Sequence, residues 1–405
     1  MTLSRPAIVL LCLISGFLPL ITDGFLAAVR PLMDDFGVPL AAAQGTISVV
    51  LLGSAAAQFF VGALADRYGR RPVLTVAIVL FLGASVGLGL ARSLPQVLLF
   101  RFLQGATAAA GPILARAIVR DVYEQHAGAH VLSLLATGLA LIPLCVPSLN
   151  AVTVAQYGWR ATAVLYVVVL LIALWMTRRH LPETLKASHA APLGLPAVVG
   201  AARAALSQRR VLGYLLLCVS GYAGLAVWVS ASPHLLHGWF GVPPMQFGVY
   251  WAFSIVAYFA GGWASVGLLR RTSPDRILVV GSVILLAAAA VLLASWHLAP
   301  HALPLFLGGV CLYMFGWSML QPNAQSGALA PFGHSAGRVS ALLGFLQLSG
   351  GAAVSQLFGL LHDGTPRAAV LLIVAAAVLH ALVRAVCCPL SGSVRPEVPH
   401  ESSAA

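Results

Sequence analysis

The stretch GALADRYGRRP, residues 62–72, sets one acid, Asp66, and three arginines, Arg67, Arg70 and Arg71, between two long apolar runs. Gly69 permits a tight turn there, and Pro72 suits the first turn of a helix that follows. A short charged turn between hydrophobic blocks is how a chain passes from one membrane crossing to the next. The whole composition agrees. Of 405 residues, 60% are hydrophobic and only 8% charged, and the mean hydropathy is +0.94. Soluble domains carry about 25% charged residues, so a water-soluble globule is excluded. The apolar blocks approach the ~20 residues that a spanning helix needs. They lack the short alternating segments of a membrane barrel, which leaves helices to satisfy the backbone in lipid.

Working outward from that turn, twelve candidate spans emerge. The first six lie at about 6–30, 44–65, 72–91, 97–119, 127–152 and 160–177. The second six lie at about 211–236, 244–269, 274–296, 302–328, 335–361 and 366–386. Residues 1–177 form one six-helix half, 178–210 a polar, basic linker, 211–388 the other half, and 389–405 a tail expected to be disordered. The N-terminal run after Arg5 looks like a secretory signal, but it continues through Asp23 to Arg30 and is read as the first span.

The basic residues set an orientation. Eighteen of the 23 Lys and Arg residues fall at the termini or in connections 2–3, 4–5, 6–7, 8–9 and 10–11. Four fall on the other side (Arg30, Arg92, Arg160, Arg367), and Arg101 sits within a span. By the positive-inside rule both termini and the linker are cytoplasmic. The same rule accounts for the net charge of +12 without nucleic acid as a partner. The halves also echo each other: LADRYGRRPVL after span 2 corresponds to LLRRTSPDRIL after span 8. Repeated halves are a signature of secondary transporters, with substrate bound near the midplane.

At this point a family resemblance becomes specific. GALADRYGRRP resembles the loop 2–3 motif of the major facilitator superfamily. RFLQGATAAAGPILARAIVRDVY (residues 101–123), TDGFLAAVRPLMDDFGV (residues 22–38) and LPETL (residues 181–185) resemble its Bcr/CflA drug-resistance branch. The resemblance covers nearly the whole chain. It implies an all-α membrane protein of twelve transmembrane helices in two pseudo-symmetric halves. It also implies multidrug efflux from the bacterial cytoplasmic (inner) membrane, and Asp66 facing helix eleven of the opposite half.

The residues themselves suggest a gate. Gly62 is expected to let span 2 approach a neighbour closely. Arg70 can pair with Asp66, four residues back, and with Asp121 at the end of span 4. Such a network, with Gly69, Arg71, Arg116 and Arg120, would hold the cytoplasmic side shut; a plain basic loop needs none of the fixed spacing.

Embedded charges are few, so each matters. Asp23 lies about 24 Å along span 1, and Arg101 about 9 Å below the outer end of span 4. In a ~30 Å core these depths agree, so an Asp23–Arg101 pair across spans 1 and 4 is expected, with Asp23 binding or releasing a proton as the cation moves; the alternatives are a static buried ion pair or Asp23 merely at the interface. Tyr222, Trp228, Tyr250, Phe253, Gln321, Asn323, Gln347 and Gln356 are candidates for an uncharged substrate-binding wall. In span 5, GLALIPLCVPSLNAV keeps Gly138, Pro143 and Pro147 but has Ser148 and Asn150 where the family's antiporter pattern favours glycine.

The six cysteines lie in or beside apolar runs with no metal or disulfide spacing, and no cofactor is expected. No HExxH, Walker A loop or paired catalytic acids point to an enzyme. The expectation is a monomeric proton-coupled exporter of small, mostly apolar molecules. An importer or metabolite exporter of the same fold stays open, and a membrane sensor or membrane enzyme fits less well.

Overall fold

The computed structural model describes residues 3–123, 125–185, 195–243 and 246–387. The regular elements among these residues are all helices, without strands. Ten helices are long and apolar enough to cross a membrane, and an eleventh crossing is a bent pair at the N-terminus. The 33-residue helix Gln125–Tyr157 takes the place of the fifth span.

In the first half, span 1 is Arg5–Ser15 followed by Phe17–Phe36, bent by 48°. Span 2 is Leu40–Ala57, continued by the short helix Val61–Tyr68. Span 3 is Arg70–Leu90, span 4 is Leu94–Val122, span 5 is Gln125–Tyr157 and span 6 is Ala161–His180. In the second half, spans 7 to 12 are Arg209–Trp239, Phe247–Leu269, Pro274–Leu298, Leu303–Phe332, Ala336–Leu361 and Arg367–Cys387. The segment before span 7 holds a helix, Leu195–Ser207, packed on spans 7 and 11. The 389–405 tail lies outside the described residues.

Local chemistry explains the helix starts. Ser4 caps span 1 through Ala7 N–H, and Ser273, ahead of Pro274, caps span 9 through Arg276 N–H. Within each half the spans approach most closely at glycines. A Cβ on Gly53 of span 2 would meet the Phe102 carbonyl oxygen at 2.2 Å, and one on Gly105 would meet the Val50 oxygen at 2.0 Å. The second half repeats the contact: a Cβ on Gly261 of span 8 would meet the Phe315 oxygen of span 10 at 2.1 Å. Spans 2 and 4 thus correspond to spans 8 and 10. Without a hydrophobic drive between helices in lipid, such close backbone packing supplies the adhesion.

The halves meet mainly where span 2 lies along span 11, span 5 along span 8, and span 1 against span 7. Gln44 Nε2 donates to the Ser230 carbonyl (3.0 Å) and Gln356 Nε2 to the Ala41 carbonyl (2.8 Å). Toward the end that carries the termini, Phe59 and Phe345 pack with ring centres 5.1 Å apart.

Candidate functional site

The charged turn is built around Gly69, whose φ of +98° is a conformation that side-chain-bearing residues rarely adopt. It reverses the chain so that Arg70 opens span 3. Arg70 is buried; its Nη1 donates to Asp66 Oδ1 at 2.5 Å and its Nε to Asp121 Oδ2 at 2.9 Å. Gly69 has no side chain with which to cap span 3. The cap comes from Glu183, beyond span 6, whose Oε1 and Oε2 accept from the N–H groups of Arg70 (3.0 Å) and Arg71 (3.1 Å). A carboxylate at a helix N-terminus satisfies orphan donors and meets the positive end of the dipole. Burial pushes the Glu183 carboxyl up, but N–H groups of Leu185, Arg70, Arg71 and Thr184 outweigh it and hold the group below its ordinary range. Thr184 Oγ1 donates to Asp121 (3.4 Å) and Arg71 Nη2 to the Arg178 carbonyl (2.9 Å).

The structure therefore brings Asp66, Arg70, Arg71 and Asp121 together. Glu183 and Thr184 complete the cluster; their signal in the sequence was LPETL, noted there only as a likeness. Gly62 requires a correction. A Cβ on Gly62 would meet nothing within 4 Å, so it mediates no close approach; Gly53, nine residues earlier and facing span 4, does. Arg116 and Arg120 are exposed, one turn apart and near enough for their charges to oppose. Among the described residues, no hydrogen bond or ion pair joins Asp66 to span 11.

Asp23 and Arg101 are both buried in the first half, yet they do not form the expected pair. The Arg101 guanidinium donates to the carbonyls of Ile21 (2.7 Å) and Thr46 (3.2 Å) and to Gln104 Oε1 (3.1 Å), and it lies 4.1 Å from the Phe25 ring centre. Span 1 is broken beside Asp23. From Asp23 to Ala28, span 1 tightens into a 3-10 turn, so the α-helical stretch Phe17–Thr22 ends there and leaves carbonyls to be satisfied from outside. Arg101 takes one of them and ties spans 1, 2 and 4 together. Asp23 accepts from Thr22 Oγ1 at 2.9 Å. Its charge reaches Tyr166 of span 6 and Tyr222 of span 7, the latter in the other half.

The substrate-wall candidates separate into groups. Tyr222 lies within electrostatic reach of Asp23 and is packed on Gly351 of span 11. Gln321 accepts from Tyr258 Oη at 2.7 Å, and Tyr258 in turn is within electrostatic reach of Tyr222. Tyr222, Tyr258 and Gln321 come from spans 7, 8 and 10, and of the three Tyr222 is the one within electrostatic reach of the acid. Tyr258 and Tyr166 were not among the candidates, because the sequence does not show which of the tyrosines in its apolar runs face inward. Gln347 donates to the Cys218 carbonyl (3.2 Å), and Gln356 belongs to the seam between the halves. Trp228 is core: it stacks on Trp251 (5.8 Å) and donates to Ser254. Asn323 bonds Ser265 and Met319 inside the second half. Tyr250 is half-buried, and Phe253 is exposed on the outside of the bundle.

Known proteins are similar to this chain in sequence and in fold. The profile of the Major Facilitator Superfamily matches residues 11–355. Multidrug resistance protein D of Escherichia coli (strain K12) is 29% identical over 345 residues, covering 83% of this chain and 84% of that protein. Multidrug resistance protein MdtL of Escherichia fergusonii is 30% identical over 332 residues, covering 81% and 82%. The bicyclomycin resistance protein homolog of Haemophilus influenzae is 25% identical over 350 residues, covering 86% and 88%. Among solved structures, a D-xylose-proton symporter superposes with a TM-score of 0.75 at 16% identity, over 93% of this chain and 96% of that one. The inward-open xylose transporter XylE of E. coli gives 0.72 at 17% identity, over 95% and 96%. With its helical fold, its paired halves and a profile match across most of its length, the chain belongs to the major facilitator superfamily of multi-pass membrane transporters.

Proposed function

We propose that this protein is a proton-coupled antiporter that exports small, mostly apolar drugs or toxic compounds by alternating access. Asp23 carries the reading. It is a carboxylate buried in a span, on a broken helix, with tyrosines of both halves around it. A carboxyl so placed can hold or release a proton as the halves move and its surroundings change between dry and wet. Arg101 fixes the turn on which Asp23 sits. Tyr222, Tyr258 and Gln321 offer hydrogen bonds and aromatic faces to a substrate. The curated relatives named for multidrug and bicyclomycin resistance support drugs as the cargo class. The Asp66–Arg70–Asp121–Glu183 cluster serves as part of a gate at the cytoplasmic end.

The arrangement proposed is 1–177 and 211–388 as rocking halves, 178–210 as a cytoplasmic linker and 389–405 as a cytoplasmic tail. It acts as a monomer in the bacterial inner membrane, with both termini inside as the basic residues demand. The test uses proteoliposomes with an imposed pH gradient and a probe panel containing ethidium and chloramphenicol. The wild type should move at least one probe against its gradient at the expense of the proton gradient. Asp23→Asn should abolish that accumulation and keep part of the downhill exchange. Gradient-driven transport at the wild-type rate by Asp23→Asn would rule Asp23 out as the carrier.

A further inference from the structure

The departure of span 5 from its family's pattern has a structural use. Asn150 is fully buried, and its Nδ2 donates to the carbonyl of Gly24, the second residue of the 3-10 turn that begins at Asp23. One turn earlier on the same face, Val146 closes on the same glycine: a Cβ on Gly24 would meet Val146 Cγ1 at 2.8 Å and Tyr166 Oη at 3.5 Å. Span 5 therefore grips the acid-bearing turn at two levels. Ser148, two residues before Asn150, points the other way. A Cβ on Gly248 of span 8 would fall 1.5 Å from Ser148 Oγ, so the two backbones are in close contact across the joint between the halves. Ser148 and Asn150 thus sit on opposite faces of one helix, one against the second half and one against the Asp23 turn. Asn150 Oδ1 is buried and has no hydrogen-bond partner among the described residues, a costly state to keep unless the amide is needed where it is.

We propose that Asn150 is a positioning residue for proton exchange at Asp23, holding the 3-10 turn of span 1 against span 5 and passing to it the movement of span 8 felt at Ser148. The inference rests on the reading of Asp23 as the proton carrier. A tightened turn leaves its carbonyls without α-helical partners. Gly24 adds no side-chain restraint, so the Asn150 amide supplies the local bond that fixes the direction of the neighbouring carboxyl. Glycine at position 150 would leave the turn free to relax as the halves rock. Asparagine makes its geometry depend on span 5.

The experiment titrates the carboxyl of Asp23 in the full-length protein, reconstituted in lipid, by the infrared carbonyl-stretch band that the Asp23→Asn variant lacks. Asn150→Gly, which restores the residue the family pattern favours, and Asn150→Ala are compared with the wild type. Ser148→Ala serves as a second probe of the same helix. The midpoint should move by about half a pH unit or more in both Asn150 variants, while Asn150→Gln, which keeps an amide donor, moves it less. An unchanged midpoint in folded Asn150→Gly overturns the proposal and leaves Asp23 as carrier. Should the wild type have no band that Asp23→Asn removes, the reading of Asp23 itself fails and this inference falls with it.

Discussion

Glu183 shows how a residue outside every span can hold a transmembrane architecture together. Its carboxylate substitutes for the capping side chain that Gly69 cannot supply, and through Thr184 it reaches Asp121, the partner of Arg70. Its folded-state pKa lies below the ordinary glutamate value of 4.5. The sign follows: the stabilisation is fully present above about pH 4.5 and is lost as pH falls through the lower folded value. Glu183→Gln keeps the shape and removes the charge, so it should cost about 1 kcal/mol at neutral pH. Thermal unfolding at pH 7 and near pH 4 checks this, because the difference between wild type and variant should shrink in acid. An equal gap at both values would remove the charge from the explanation. Arg101 teaches a related lesson. Its depth in the membrane could be read from the sequence, but its partners could not. They are the carbonyls of Ile21 and Thr46, and backbone groups carry no letter in the sequence.

Helices were the most legible part of this chain, and their breaks the least. Apolar blocks marked the crossings because lipid allows few alternatives, and ten helices with one bent pair meet the length and hydropathy of a span. The 3-10 turn at Asp23–Ala28 and the π segment His234–Trp239 that follows Pro233 were hidden, since each depends on what neighbouring helices press against. Glycines illustrate the same limit. Gly62 and Gly53 both lie on the second crossing, and only the structure tells which faces span 4. Alanine at either position gains helix propensity, by roughly 1 kcal/mol. At Gly62 nothing opposes that gain, so Gly62→Ala should be neutral or slightly stabilising. At Gly53 the new methyl would fall 2.2 Å from a carbonyl oxygen of Phe102. Spans 2 and 4 must part, and Gly53→Ala should lose about 1–3 kcal/mol net. Melting temperatures of the two variants in the same detergent decide the matter. Equal values would mean that the contact yields without cost.

Between the halves, the far end from the termini is joined by polar groups, and among the described residues no ion pair bridges the halves there. Gln44 donates to Ser230, and Gln356 donates to Ala41 and accepts from Ser48 (3.4 Å); within the second half, Ser230 is tied to Ser355 (2.6 Å). Bonds from amides to backbone carbonyls are individually modest, so such a seam can open and close without a large barrier. A seam of buried salt bridges would be dearer to break. Alternating access requires this balance, because a gate that is too strong traps one state. Removing the Gln356 amide should tip it. Gln356→Leu deletes the donor to Ala41 and the acceptor for Ser48, and at about 1–3 kcal/mol for a lost bond with its partner left unsatisfied, the closed far end should fall in population by roughly 5–150-fold relative to the open one. Spin labels on cysteines at Asp34 and Arg367, both exposed at the far end and in different halves, read that population as a distance distribution. The measurement is made in a background without the six native cysteines. Gln356→Leu should add or enlarge a longer-distance peak, and an additional Gln44→Leu should enlarge it further. A distribution unchanged by both substitutions would mean that apolar packing of span 2 on span 11, with Phe59 against Phe345 at its other end, holds the halves without help from the amides.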